Sequence, residues 1–140
     1  MRFLNYFFFY TYIGLVVLAG FWGAFLLPWM DFPYLMEMDL SILPDHAKIN
    51  LLSQYRFLRA LELGFGLFSL FFIKEIFNDA KFNKLFLTIM GMGILARLVS
   101  WLVDGTPNLW LLFFFAYEAV GWLIIMLYSR KLGIYHDIKR

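Results

Sequence analysis

Residues 85–128 read LFLTIMGMGILARLVSWLVDGTPNLWLLFFFAYEAVGWLIIMLY. Two apolar runs, Leu85–Val103 and Leu109–Tyr128, flank Asp104-Gly105-Thr106-Pro107-Asn108, a stretch made of the residues that close tight turns. Each run is near the roughly 20 residues that carry an α-helix across ~30 Å of hydrocarbon. So short a polar connection makes the two helices antiparallel neighbours. Each run also holds a single formal charge, Arg97 in the first and Glu118 in the second. A charge in hydrocarbon costs roughly 3 kcal/mol unless it is paired or hydrated, so both residues demand an explanation.

Working outward, Tyr55–Ile73 and Phe7–Trp29 are further apolar runs of spanning length. None alternates, and each is about twice the length of a barrel strand, which argues against a β-barrel. The first run is too long for the 7–15-residue apolar core of a signal peptide and is expected to stay as an uncleaved helix. The expected fold is all-α: a four-helix transmembrane bundle occupying residues 1–140 as one integral membrane domain. Composition agrees, since 63% of the 140 residues are hydrophobic and eighteen are Phe, against about 45–50% apolar in a soluble domain. Mean hydropathy is +0.74.

Several chemistries are excluded by the inventory. Cysteine is absent, which removes thiolate catalysis, disulfides, Cys-ligated zinc and iron–sulfur clusters. The two histidines, His46 and His136, fall in a loop and in the tail, so a haem held between facing helices is out of reach of this chain alone. Ser69 and Ser100 have no nearby histidine, and no glycine-rich phosphate loop occurs. His46 with Asp45 and Asp39 is a conceivable surface metal group, but loop histidines are mostly plain solvated residues. Neither enzymatic activity nor a cofactor is expected, and a net charge of +2 gives no footprint for nucleic acid.

Orientation follows from Lys and Arg. Arg2, Lys74, Lys81, Lys84, Arg130, Lys131, Lys139 and Arg140 fall on one side, with Lys48 and the rim residue Arg56 on the other. Both termini are therefore expected in the cytoplasm. The outer loop, 30–54, holds Asp31, Glu37, Asp39 and Asp45, is expected to be broken by Pro33 and Pro44, and has room for a short amphipathic helix over Leu35–Leu43. Asp45 is placed to cap a further turn leading into the second membrane helix.

Depth adds the main functional pointer. At ~1.5 Å per residue, Arg59, Glu62, Arg97 and Glu118 lie ~6, ~10, ~9 and ~13 Å inside the outer helix ends. Arg56 sits at the rim, and Asp104 marks the outer end of the third helix. Arg56, Arg59 and Glu62 step by three along one helix face, with Arg59 in reach of Glu62. Arg97 and Asp104 are two turns apart on one face. These six residues are the candidate site, either as ion pairs (Arg59–Glu62, Arg97–Glu118) that fix the bundle or as a pocket open to the outer leaflet. In the pocket reading Arg59 and Arg97 hold a polar head, and Phe65, Phe68, Trp101 and Phe115 flank an apolar part.

A set of short motifs carries a resemblance: Asn50…Arg56-x-x-Arg59 before Gly64-x-Gly66, then Gly91-x-Gly93-x-x-x-Arg97-x-x-Ser100, Asp104-Gly105-x-Pro107 and Glu118. In these the chain resembles the bacterial membrane family catalogued as domain of unknown function 4345 (DUF4345). A more remote likeness to DoxX-type proteins rests on architecture alone. The DUF4345 resemblance implies a small four-helix protein of the bacterial inner membrane and carries no settled activity. The functional expectation is a non-catalytic accessory or scaffold subunit, in contact with membrane lipids and with a membrane-protein partner or further copies of itself. The alternative is a carrier for a quinone, isoprenoid or lipid. A small multidrug-type transporter fits less well, because the Lys/Arg bias is strong and each membrane glutamate has an arginine to pair with.

Overall fold

The structure, a computed structural model, describes residues 2–132 and 134. Lys139, Arg140 and His136, used in the sequence reading, lie outside the described residues. The order of helices is α1 (Arg2–Phe21), a π-helical turn (Trp22–Leu26), α2 (Pro28–Leu35), a 3-10 turn (Leu40–Ile42), α3 (Asp45–Phe71), α4 (Ile73–Asn78), α5 (Ala80–Val103) and α6 (Leu109–Lys131). Strands are absent among the described residues. Three stretches are long and apolar enough to cross a membrane: Arg2–Leu26, Ala80–Val103 and Leu109–Lys131. Their outward side chains suit lipid, with Leu18, Leu102 and Leu109 exposed to 71%, 76% and 81%.

Several sequence expectations need correction. The second long helix starts ten residues before Tyr55, at Asp45, directly after Pro44, so much of the outer loop is helical. The amphipathic helix expected over Leu35–Leu43 is not formed. The helix lies upstream, at Pro28–Leu35, where proline is pre-organised for the first position. Glu37, with φ 53°, prevents its continuation. Pro33 sits inside this helix instead of breaking the loop. Further along the chain, the stretch around Lys74 forms α4, and α5 begins at Ala80, before Leu85. Asp79 caps it, its carboxylate accepting the Lys81 and Phe82 N–H groups at 2.7 and 3.3 Å.

The chain divides into two compact units, Ile13–Phe68 and Met1–Tyr12 with Ser69–Arg140, the division falling within α1 and near the end of α3. In the first unit the end of α1 presses on α3. A Cβ on Gly20 would stand 2.7 Å from the Leu63 nitrogen, and one on Gly66 would stand 2.6 Å from Val17 Cγ2. Both positions require the missing side chain. Phe32, Leu40 and Tyr55 form a small core, with Met38, Leu43, Leu51 and Leu52 packed against it. Asp39 accepts the Ser41 N–H at 2.8 Å, which holds its carboxyl below the usual carboxylate range.

In the second unit the start of α1 packs through Phe9 on Phe77 and Phe86, with ring centroids 5.3 and 5.5 Å apart. Gly105 makes the α5–α6 turn at φ 114°, a conformation that suits glycine. Asn108 caps α6 by accepting the Leu111 N–H at 3.0 Å.

Candidate functional site

The site in the first unit starts from a broken helix. Pro28 has no N–H and cannot bond the carbonyl four residues back, that of Ala24. The backbone swings out through the π turn, where the Leu27 N–H reaches the Trp22 carbonyl at 3.2 Å. Arg56, from α3, donates Nη1 to the Ala24 carbonyl at 2.6 Å. The residue placed at the rim by sequence is thus the donor that replaces the proline's missing one. One turn further along α3, the Arg59 stem passes over Gly23, where a Cβ would stand 2.6 Å from its Cγ. Only glycine leaves that path open.

Arg59 then meets three partners. Its Nη1 bonds Glu62 Oε2 at 2.7 Å, its Nε bonds Tyr55 Oη at 2.7 Å, and its Nη2 reaches Asp31 Oδ2 at 3.3 Å. The Tyr55 hydroxyl donates in turn to Asp31 Oδ2 at 2.6 Å. Arg59 and Asp31 each keep only 15% of their side-chain exposure, while Glu62 keeps 43%. One guanidinium therefore ties α2 to α3, and the carboxylates of Asp31 and Glu62 balance Arg56 and Arg59 in formal charge. Asp31 and Tyr55 were not among the candidates. The signal for Tyr55 was present, because Tyr55 and Arg59 are four apart on one helix face. Asp31 was hidden by reading residues after Trp29 as loop.

The second unit holds the other pair. Arg97 Nε and Nη2 bond Glu118 Oε2 and Oε1 at 3.0 and 3.4 Å, joining α5 to α6. Exposure is 38% for Arg97 and 17% for Glu118. Arg97 with Ser100, Trp101, Pro107, Leu111, Leu112 and Phe115 lines a cavity of about 100 Å³. Trp101 and Phe115 meet there edge to face, 6.0 Å between centroids. Asp104 is exposed at the end of α5, its N–H on the Ser100 carbonyl at 2.7 Å. Phe65 and Phe68 belong to the first unit.

The family described as Domain of unknown function (DUF4345) matches residues 1–129 of the chain. The chain belongs to this family. No match was found among curated proteins or among solved structures.

The DUF4345 protein also has a neutral polar layer that apolar patterning had concealed. Asn83 Nδ2 bonds the Ile76 carbonyl and Ser129 Oγ, both at 2.8 Å, and Ser129 donates to the Ile125 carbonyl at 2.8 Å. All these atoms are buried. Thr11 bonds the Tyr117 hydroxyl, linking α1 to α6 one residue before Glu118. Asn5 is fully buried, and neither amide atom has a partner among the described residues. No three His, Cys, Asp or Glu side chains are grouped as a metal site among the described residues. Chemically, the charged sets can pin helices together.

Proposed function

We propose that this DUF4345 protein is a non-catalytic accessory or scaffold subunit of a larger membrane assembly. It is built as a four-helix bundle in a bacterial inner membrane, with both termini cytoplasmic. The observation that carries this reading is that each of the charges in the apolar stretches has a partner within the protein. Arg59 has Asp31, Tyr55 and Glu62, Arg56 has the Ala24 carbonyl, and Arg97 has Glu118. A proton-carrying or nucleophilic carboxylate has to exchange partners during turnover, and these carboxylates are committed. The ~100 Å³ beside Arg97 is also well below the roughly 300–1,000 Å³ of small-molecule sites. Charge neutralisation is what allows α3, with Arg56, Arg59 and Glu62 in its apolar part, to serve as the fourth span.

Extraction of the native membrane into lipid nanodiscs tests the role. The expected result is one stoichiometric particle containing this chain and another integral membrane protein. A single chain, free of other protein under several gentle extraction conditions, overturns it. Orientation is tested separately with reporters at the C-terminus: green fluorescent protein is expected to fluoresce and alkaline phosphatase to be silent. Active phosphatase there reverses the topology.

A second reading, a carrier for a quinone, isoprenoid or lipid, draws on one observation: Arg97 stays 38% exposed beside Trp101 and Phe115. A quinone or isoprenoid that co-purifies with the wild-type chain and is lost in a folded Arg97→Gln variant favours it over the accessory role.

A further inference from the structure

The α5–α6 hairpin carries a groove on the half remote from the Asp104–Asn108 turn. Its volume is about 760 Å³, and it is lined by Lys84, Leu87, Gly91, Leu95, Trp122 and Arg130, with Thr88, Met92 and Met126. The two helices are antiparallel, so Lys84 near the start of α5 and Arg130 near the end of α6 fall at the same end. None of the described lining residues is acidic. The rest of the lining is apolar apart from Thr88.

Its dimensions match half a bilayer. From Lys84 to Leu95 is eleven residues along α5, ~16 Å at the helical rise, close to half of ~30 Å of hydrocarbon. The walls are fixed. Trp122 Nε1 donates to the Leu87 carbonyl at 2.8 Å, which turns the indole into a rigid side of the groove. Gly91 forms the floor, where a Cβ would already stand 3.4 Å from Trp122 Nε1. A larger side chain there fills the space. Met92 and Met126 supply an adaptable apolar surface, as methionines do at binding faces. Lys and Arg at the mouth keep their charged heads at headgroup level while their stems cover apolar surface.

From this geometry we infer that the groove holds one acyl chain of an anionic phospholipid, with the lipid phosphate between Lys84 and Arg130. Charge complementarity selects the headgroup, and length selects the chain. A free phosphate ion meets the mouth alone and leaves the apolar length of the groove unfilled. The site is separate from the Arg59 and Arg97 clusters and does not depend on the accessory role.

Native mass spectrometry of the full-length, delipidated protein tests the inference. The probes are phosphatidylglycerol and phosphatidylcholine with identical acyl chains, and sodium phosphate. One phosphatidylglycerol is expected to be retained, with about thirtyfold preference over phosphatidylcholine, from two basic residues at the surface. The double variant Lys84→Gln/Arg130→Gln is expected to bring the two lipids to near equality. Gly91→Leu is expected to lose the retained lipid while keeping the helical signal and melting temperature. Should Gly91→Leu not fold, Met92→Trp, at a position 59% exposed, fills the same groove from its open side. Equal retention of the two lipids by the wild type overturns the inference, as does unchanged preference in the double variant. So does full retention in the folded filled-groove variant. Displacement of the lipid by an equal concentration of sodium phosphate reduces the site to a simple anion site and also overturns it.

Discussion

The unit Ile13–Phe68 and the unit of Met1–Tyr12 with Ser69–Arg140 handle polar groups in an apolar chain in opposite ways. In the first, a proline breaks a helix, and the repair recruits charge: Arg56 on the orphaned Ala24 carbonyl, Arg59 on Asp31, Tyr55 and Glu62. In the second, α5 and α6 are regular, and among the described residues the Arg97–Glu118 pair is accompanied by a neutral amide–hydroxyl layer at Asn83 and Ser129. Ionic density follows backbone irregularity. A regular helix satisfies its own backbone and has no need of a long cation to reach a spare carbonyl.

That contrast is broken most directly at Arg59. Arg59→Met leaves the 15%-exposed Asp31 without its cation, and removing one partner of a buried pair typically costs about 3–5 kcal/mol. A loss of that size is expected in reversible unfolding of the detergent-solubilised protein. A loss under ~1 kcal/mol would place Arg59 with exposed surface pairs and remove the contrast.

The Arg97–Glu118 pair is expected to give a smaller and separable effect. Glu118→Gln alone costs about 2 kcal/mol, because it leaves a half-exposed guanidinium with a weaker acceptor. The double variant Arg97→Leu/Glu118→Leu is expected to recover to within ~1 kcal/mol of wild type, since apolar replacement of a whole ion pair is often neutral. The equivalent double change at Arg59 and Glu62 is expected not to recover, as Asp31 is left behind. Recovery at both sites in the same unfolding assay would show that the two are energetically alike.

The helix break can be tested as a cycle. Arg56→Gln shortens the donor to the Ala24 carbonyl and is expected to cost about 1–2 kcal/mol. Pro28→Ala restores an N–H that can serve that carbonyl. In the Pro28→Ala background the cost of Arg56→Gln is expected to fall by at least half. An undiminished cost, measured by the double-mutant cycle, would disconnect Arg56 from the proline.

How much of this was legible follows from the same physics. The α5–α6 hairpin was readable to within a few residues because apolar runs bounded by Asp104-Gly105-x-Pro107-Asn108 allow little else. The pairings Arg59–Glu62 and Arg97–Glu118 were readable from depth and spacing. Asp31 was not, since its role depends on Pro28 starting a new helix instead of ending one. Asn83 and Ser129 were not, since each falls just outside an apolar run, beside basic residues, where a neutral polar side chain looks like part of a solvated connection. Asp45 reads in the sequence only as the cap of a further turn, because the polar stretch 45–54 looks like loop, whereas α3 runs through it unbroken.

The smallest expected effect has the opposite sign and falls in the second unit. Asn5 is fully buried with neither amide atom paired among the described residues, and an unmade buried hydrogen bond costs about 1–3 kcal/mol. Leucine has the same branched skeleton of heavy atoms and no polar atoms, although its methyl groups are bulkier. Asn5→Leu is therefore expected to stabilise the protein by about 1 kcal/mol, read as a small rise in the unfolding midpoint. Asn83→Leu is the control, since that amide bonds Ile76 and Ser129, and its loss is expected to destabilise. If both substitutions destabilise equally, the Asn5 amide is making bonds as good as those of Asn83. The regular unit would then depend on buried hydrogen bonds at two points instead of one, which narrows its difference from the charged unit.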